Sequence, residues 1–149
     1  MTDKVVVDSS VAIKWFVVEP YSVEAHRLLE GYQTATLTLL APDPLFAEVG
    51  NIVWKKYRFQ SLAAEDAQEI LAAFRLVTFV VTSSAALLEE AYRLAVTHQC
   101  TVYDALYLAL SLHEQYPWVT ADERVVNALA ATFPHIICVA NWPQVAPSA

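Results

Sequence analysis

The chain of 149 residues has the length of one domain, and its composition of 56% hydrophobic and 17% charged residues excludes a largely disordered polypeptide. With only two glycines, Gly31 and Gly50, it cannot contain the glycine-rich phosphate loops of P-loop NTPases and dinucleotide-binding folds. Its formal net charge of -7 argues against broad binding to the phosphates of nucleic acids.

The sequence also carries no feature typical of an exported or membrane-embedded protein. It begins without the basic flank and long apolar run of a signal peptide, and the longest uncharged internal run, residues 76–88, is too short and too polar to span a bilayer. Cys100 and Cys138 lie far apart without a CxxC or CxxH context, so neither a disulfide framework nor a zinc site is predicted. We therefore expect a soluble, cytoplasmic protein with no membrane partner.

Short apolar strands alternate with helices along the chain. In chain order, the hydrophobic pattern predicts a strand at 4–7, helices at 11–17 and 20–30, a strand at 36–41, helices at 44–57 and 62–75, a strand at 77–81, helices at 84–97 and 102–114, a strand at 118–120, a helix at 123–132 and a strand at 135–139. This alternation predicts an α/β fold, a three-layer sandwich with a central, mostly parallel sheet and helices on both faces. Residues 1–140 would form this single domain, and the uncharged residues 141–149 a C-terminal tail.

Several predicted helices carry capping signals at their ends. Ser9 or Ser10 is the predicted N-cap of the first helix. Asp43 and Pro44 have the N-cap and N1 identities that begin the third helix. Gly31 is predicted to follow the last residue of the second helix, where glycine most often ends a helix.

Two acidic residues directly follow predicted strands. Asp8 closes the first strand, and Asp122 lies two residues beyond the strand at 118–120. If both strands are central and parallel, the two carboxylates emerge at the same edge of the sheet. In open α/β sheets that edge, at the carboxyl ends of the strands, is where ligands bind.

Two further acids lie on apolar faces of predicted helices. Glu48 shares a face with Leu45 and Val49, and Asp104 shares one with Leu108. An unpaired charge on such a face is costly. Glu48 is therefore expected to contact a cation, a metal ion or a hydrogen-bonding partner.

These four carboxylates, without clustered histidine or cysteine, favour the hard cations Mg²⁺ or Mn²⁺ over zinc. A second interpretation is structural, because Thr101 with Asp104 and Thr120 with Glu123 both fit a helix capping box. Asp122 would then be an acid of the first helical turn. Both interpretations stay open, since a capping geometry can also orient a metal ligand.

The same acids lie in segments that resemble the PIN-domain family, specifically the VapC-type toxins of bacterial and archaeal toxin–antitoxin pairs. The resemblance covers nearly the whole chain and rests on VVDSS ending at Ser10, the helical Glu48, TVYDALYLAL beginning at Thr101 and VTADER beginning at Val119. It implies a PIN-like fold and a metal-dependent endoribonuclease that hydrolyses RNA phosphodiester bonds.

The resemblance also implies roles for individual residues. Asp8 and Asp104 would be the firmest ligands of Mg²⁺ or Mn²⁺. The implied catalytic and metal-binding centre consists of Asp8, Glu48, Asp104 and Asp122. The hydroxyl groups of Thr120 and Ser9 would orient a carboxylate or a metal-bound water molecule.

Partners follow from the same resemblance. It implies a homodimer and an antitoxin whose C-terminal segment covers the active site, often with a basic side chain among the acids. The high apolar fraction also favours an oligomer interface. Candidate contacts to RNA phosphates are Lys14, Lys55, Lys56, Arg58 and Arg124. The alternative interpretation is that they are ordinary solvated residues at the ends of helices.

Two rival functions belong to other classes. A catalytically inactive PIN fold would act only as a binding protein. The presence of all four acids argues against this alternative. A metal-dependent adhesion module is suggested by Asp8, Ser9 and Ser10, but its DxSxS loop would need a serine where this chain has Ala12. A dehalogenase-type phosphatase needs a second aspartate two residues after Asp8, where this chain has Ser10. A receiver domain needs adjacent acids before its first helix, and the sequence has no such pair there.

Overall fold

The structure is a computed structural model that describes residues 3–143. The strands are β1 (Asp3–Val7), β2 (Leu37–Pro42), β3 (Val80–Thr82), β4 (Trp118–Thr120) and β5 (Ile136–Cys138). The helices are α1 (Ser9–Ala12), α2 (Ser22–Gln33), α3 (Pro44–Phe59), α4 (Ala64–Arg75), α5 (Ser84–His98), α6 (Val102–Glu114) and α7 (Glu123–Leu129). Short 3-10 turns follow α1 at Ile13–Trp15 and β5 at Val139–Asn141.

The five strands form one parallel sheet in the order β3-β2-β1-β4-β5. Strand β1 is central, with Val6 opposite Leu40 of β2 and opposite Trp118 of β4. Because alternate side chains of a strand point to opposite faces, Val5 and Val7 pack into a first hydrophobic cluster, on one face of the sheet, and Val6 packs into a second hydrophobic cluster on the other face. The predicted three-layer α/β sandwich is confirmed, and its sheet is wholly parallel.

Helix α6 buries the second cluster. It packs against α5 and against β1, β2 and β4. Every residue from Ala105 to Ser111 is buried, as expected for a helix covered on two sides. Helix α3 belongs to the opposite layer, where Leu45, Val49 and Val53 enter the first cluster.

The first helix differs from its prediction. Asp8, rather than Ser9 or Ser10, is the N-cap of α1, and its side chain accepts hydrogen bonds from the backbone N–H groups of Ser10 and Val11. The predicted helix at 11–17 is also shorter, because the α-helical turn changes to a 3-10 turn that ends at Trp15. The acid that ends β1 is therefore held close to the backbone of the following turn.

Of two other capping predictions, the one for Gly31 was wrong and the one for Asp43 and Pro44 was right. Gly31 lies inside α2, where a Cβ would stand 2.6 Å from the Leu37 Cδ1 atom, so a larger residue there would require the Leu37 side chain to move. Asp43 and Pro44 occupy the predicted N-cap and N1 positions of α3, although the Asp43 side chain makes no cap bond to its own helix. It instead accepts a hydrogen bond from the backbone N–H of Ser84, at the beginning of α5.

The predicted C-terminal tail lies partly beyond the described residues, since 144–149 are outside them. Within the described part, Trp142 packs against the first cluster, and its carbonyl oxygen accepts a hydrogen bond from Arg27 Nη1 at 3.2 Å. Across residues 3–143, no helix combines the length and the apolar character that crossing a membrane requires.

Candidate active site

The four predicted acids are supplied by four different parts of the fold. Asp8 follows the central strand β1, and Asp122 follows the neighbouring strand β4. Helix α3 begins directly after β2 and carries Glu48, while the first turn of α6 carries Asp104. Parallel strands end at the same edge of the sheet, so the topology brings residues that are distant in sequence to one place.

Asp8 is the most constrained of these acids. Its Oδ1 atom accepts hydrogen bonds from Ser10 N at 3.1 Å, Ser10 Oγ at 2.5 Å and Val11 N at 3.3 Å. Its Oδ2 atom accepts one from Trp118 Nε1 at 3.1 Å. The carboxylate is buried and held on both sides, which fixes its orientation at the end of β1.

Ser10 joins the loops that follow β1 and β4. Its hydroxyl donates to Asp8 and accepts a hydrogen bond from Ala121 N at 2.9 Å, and it lies 3.4 Å from the hydroxyl of Thr120. Thr120 is fully buried and accepts a hydrogen bond from Asp122 N at 3.1 Å. The predicted hydroxyl residue Thr120 therefore lies between Asp8 and Asp122.

Glu48 has the hydrogen-bonding partner that its apolar surroundings require. Its Oε1 atom accepts a hydrogen bond of 2.7 Å from the hydroxyl of the buried Tyr107. The hydroxyl of the predicted residue Ser9 also hydrogen-bonds to Glu48 and thereby lowers the pKa of its carboxyl group.

Arg124 connects the other two acids. Its Nη2 atom lies 3.1 Å from Asp104 Oδ2 and 3.1 Å from Asp122 Oδ2. The Thr101 cap of α6 is present, with its hydroxyl accepting from Asp104 N. The other capping interpretation was wrong in detail, because Asp122 itself is the N-cap of α7 and accepts from Arg124 N.

The acids destabilise one another in their charged forms. Burial raises the pKa of Asp8, and the hydrogen bonds from Ser10, Thr120 and Trp118 offset this only in part. Burial also raises the pKa of Glu48, and the negative charges of Asp8 and Asp104 raise it further. Asp8 and Asp104 are therefore both close enough to Glu48 to repel its charge.

The raised pKa of Glu48 predicts an unusual pH dependence of stability. Because the folded pKa of Glu48 exceeds its ordinary value of 4.5, its charge destabilises the folded state above that pH, and protonation relieves the cost. Without divalent cations, the wild type should therefore gain stability relative to Glu48→Gln as the pH falls from about 7 to about 5. Thermal unfolding of both proteins in EDTA measures this difference.

Comparing the stabilities of the two proteins cancels the contribution of His135, which depends on pH in the opposite direction. Burial lowers the pKa of His135, so that residue favours unfolding on acidification below its ordinary 6.5, equally in both proteins. A stability gap between wild type and Glu48→Gln that is constant over this pH range would contradict a raised pKa of Glu48 in the folded protein.

The donor set fits a hard divalent cation by its chemistry and by its charge. The donors are carboxylate oxygens, and the pKa of Glu48 is raised by burial and also by the negative charges of Asp8 and Asp104, which a cation would neutralise. Within residues 3–143, however, no three histidine, cysteine, aspartate or glutamate side chains are already arranged as a metal-binding group. The guanidinium of Arg124 lies instead between Asp104 and Asp122.

The structure divides the five predicted phosphate contacts into two groups. Lys14 is buried, and its Nζ atom lies 3.1 Å from Glu19 Oε1, while Lys56 Nζ lies 2.7 Å from Glu19 Oε2. Burial raises the pKa of Glu19, but hydrogen bonds from Lys56 and Lys14 outweigh it and the pKa is lowered overall. Side chains exposed to solvent belong to Lys55, Arg58 and Arg124.

Comparison with known proteins identifies the family. A family model for the PIN domain matches residues 5–130. The chain belongs to the PIN-domain family. This PIN-domain chain is also 33% identical over 139 residues to the ribonuclease VapC3 of Pyrobaculum aerophilum, which covers 90% of this chain and 98% of that protein.

Two solved structures have the same PIN-like fold. The crystal structure of PAE2754 from Pyrobaculum aerophilum has a TM-score of 0.69 and 23% identity, and covers 93% of this chain and 85% of that one. VapC20 of Mycobacterium tuberculosis, described as a toxin that cleaves the sarcin–ricin loop, has a TM-score of 0.56 and 19% identity, and covers 78% and 87%. The predicted family, its fold and its ribonuclease class of enzyme are confirmed.

Three residues of the site were not assigned to it from the sequence. Ser10 was predicted only as a cap, Trp118 only as part of a strand, and Tyr107 only as part of an apolar helix. A signal existed for Tyr107, because a buried tyrosine hydroxyl needs a partner and this one lies three residues after Asp104 on the same helix. The hydrogen bond from Trp118 to Asp8 joins residues 110 positions apart and has no local signature.

Proposed function

We propose that this PIN-domain protein is the toxin ribonuclease of a toxin–antitoxin pair and that it cleaves RNA at the edge of the sheet where its acids meet. The observation that carries this proposal is the approach of Asp8 and Asp104 to Glu48, with the three acids supplied by different parts of the fold. The name of the curated relative, a ribonuclease covered over almost its full length, supports the RNA substrate.

We propose that the acids hold Mg²⁺ or Mn²⁺, with Asp8 and Asp104 as the main ligands and Glu48 and Asp122 completing the centre. When bound, such a cation supplies Lewis-acid activation of water and neutralises charge on the scissile phosphate. Hydrolysis of this kind needs no side-chain nucleophile.

The protein's own residues would hold the reacting groups in place. Asp8 keeps its orientation through the hydrogen bonds from Ser10, and Thr120 aligns the loop that carries Asp122. Arg124 adjoins the acids and is mostly exposed, so it would contact a phosphate of the RNA once it leaves Asp104.

Further RNA contacts would come from basic residues that are free of buried ion pairs. Lys55 and Arg58 are exposed at the end of α3. Lys14 and Lys56 would first have to leave Glu19, so their contribution to RNA binding would be smaller. This division fits an acidic protein that binds RNA over a restricted area.

The proposed partners are an antitoxin and a second copy of the chain. The mutual repulsion of the site acids favours an antitoxin segment that brings a basic side chain among them. The apolar residues Leu88, Tyr92 and Val96 are exposed at helical spacing along α5, which favours a homodimer interface on that helix. An RNA substrate and a protein antitoxin favour a cytoplasmic location.

Cleavage of total cellular RNA by the purified, antitoxin-free protein tests the proposed function. Discrete fragments are expected with Mg²⁺ or Mn²⁺, and none with EDTA, because the carboxylates lack a cation to activate water. Cleavage that continues unchanged in EDTA would exclude the metal-dependent chemistry. Intact RNA in every condition, with a folded protein, would favour the rival function of a PIN fold that only binds.

A further inference from the structure

Two buried aromatic residues make the bonds that hold Glu48 and Asp8. The Tyr107 hydroxyl donates to Glu48 Oε1 at 2.7 Å, and Trp118 Nε1 donates to Asp8 Oδ2 at 3.1 Å. The two rings are stacked on each other, with centroids 5.7 Å apart and an interplanar angle of 16°. Tyr107 is 2% exposed and Trp118 is fully buried.

The stack connects two consecutive elements, α6 and β4, to two acids that are distant from them in sequence. Tyr107 lies on α6 and reaches Glu48 on α3, while Trp118 begins β4 and reaches the acid that follows β1. Both rings pack in the second hydrophobic cluster, so neither can turn without disturbing the core. Their polar atoms therefore have fixed positions relative to each other.

Core packing alone does not require these polar atoms. Phenylalanine would fill much of the same space, whereas a buried hydroxyl or indole N–H is costly unless it is hydrogen-bonded. Here each donor is satisfied by one of the acids that repel one another. The indole can only donate, and a carboxylate can only accept, so both bonds favour the charged forms that bind a cation.

We propose that Tyr107 and Trp118 form one positioning unit that holds Glu48 and Asp8 at a fixed separation and so prepares them for a divalent cation. This inference rests on the proposed function, since it assigns the two residues to the same metal-binding site. They are positioning residues, because they act through the carboxylates and touch neither the cation nor the RNA. Partners that orient metal ligands commonly change metal affinity by about 10–100-fold.

The first test compares Tyr107→Phe with a matched control. Tyr107→Phe keeps the stacked ring and deletes only the hydroxyl, while Tyr32→Phe deletes a hydroxyl that accepts a 2.9 Å hydrogen bond from Thr78 N, away from the acids. Titration with Mn²⁺, followed by electron paramagnetic resonance, should show about tenfold or greater weakening for Tyr107→Phe. Tyr32→Phe should bind Mn²⁺ as the wild type does, and circular dichroism checks that both variants are folded.

A double-mutant cycle tests whether Tyr107 acts through Glu48. In a Glu48→Gln background, adding Tyr107→Phe should change the affinity for Mn²⁺ less than about twofold, because the positioned carboxylate is already absent. Trp118→Phe is the second single variant, and it should weaken Mn²⁺ binding while leaving the Tyr107 bond in place. Full additivity of Tyr107→Phe and Glu48→Gln would overturn positioning through Glu48.

The RNA cleavage assay separates this inference from the proposed function. If the wild type binds Mn²⁺ but cleaves no RNA, and Tyr107→Phe binds more weakly, the positioning unit stands and the ribonuclease proposal fails. If the wild type cleaves RNA and Tyr107→Phe binds Mn²⁺ equally well, the ribonuclease proposal stands and the positioning unit is overturned. A folded wild type that binds no Mn²⁺ at all also overturns it.

Discussion

Replacing Asp8 with asparagine is expected to reduce metal-dependent RNA cleavage by more than about 100-fold, because even residues that only orient metal ligands contribute 10–100-fold. Asparagine has the size of aspartate but lacks the negative charge that the proposed centre supplies to a cation. The acid lies at the carboxyl end of the central strand, and Ser10 connects it to the loop that carries Asp122.

The fold should survive this substitution. Asparagine is as good an N-cap as aspartate, so its amide oxygen can still accept from the backbone of Ser10 and Val11. Its NH₂ group would then face the N–H of Trp118, a mismatch that costs about 1–3 kcal/mol. Removal of a buried charge offsets part of that cost, because burial disfavours the ionised carboxyl group and raises the pKa of Asp8.

The measurement is the initial rate of RNA cleavage at saturating Mn²⁺, with thermal unfolding of the same samples. Asp66→Asn is the control, since it makes the same chemical change on the exposed surface of α4 and should retain the wild-type rate. Cleavage by folded Asp8→Asn within about tenfold of the wild type would remove Asp8 from the centre, because loss of a ligand must exceed that effect.

The sequence was informative wherever one local pattern determined the outcome. Strand alternation and β-branched runs predicted the layers and the parallel sheet, and Asp8 and Asp122 were predicted at one edge because they follow strands. The apolar face around Glu48 predicted that its side chain needs a partner, which proved to be Tyr107. The assignment of these acids as metal ligands stays a prediction.

The contacts that could not be predicted connect residues far apart in the chain. Tyr107 and Glu48 are 59 positions apart, and nothing in either helix alone identifies the other as its partner. Positive charge alone was also a poor guide to which residues are free to contact RNA. Lys14 and Lys56 carry the positive charge that a phosphate contact needs. In the fold, however, both form ion pairs with a glutamate in the loop before α2.

That glutamate, Glu19, leads to the second large expected effect, which is on stability. Glu19→Gln should lower the free energy of unfolding by about 2–3 kcal/mol, because it leaves two poorly solvated ammonium groups without their counterion. The side chains of Lys14 and Lys56 are only 10% and 17% exposed. Loss of one partner in a fully buried pair costs about 3–5 kcal/mol, and the 24% exposure of Glu19 moderates that value.

Thermal unfolding should show the midpoint of Glu19→Gln lowered by about 4–12 °C, the range expected for this loss in a domain of about this size. Glu90→Gln is the matched control, because Glu90 pairs with Arg93 on the open surface of α5, where an ion pair contributes at most about 1 kcal/mol. Equal effects of the two substitutions would show that the Lys14–Glu19–Lys56 cluster is no more important to the fold than a surface pair.

Binding of RNA by Glu19→Gln then decides what the two lysines do. If they serve the fold alone, freeing them from Glu19 leaves the affinity and its dependence on salt unchanged below the unfolding temperature. Each lysine that became a phosphate contact would instead steepen the slope of log affinity against log salt by about 0.7–0.9. A steeper slope would return Lys14 and Lys56 to the RNA-binding surface, with Glu19 as the group that restrains them.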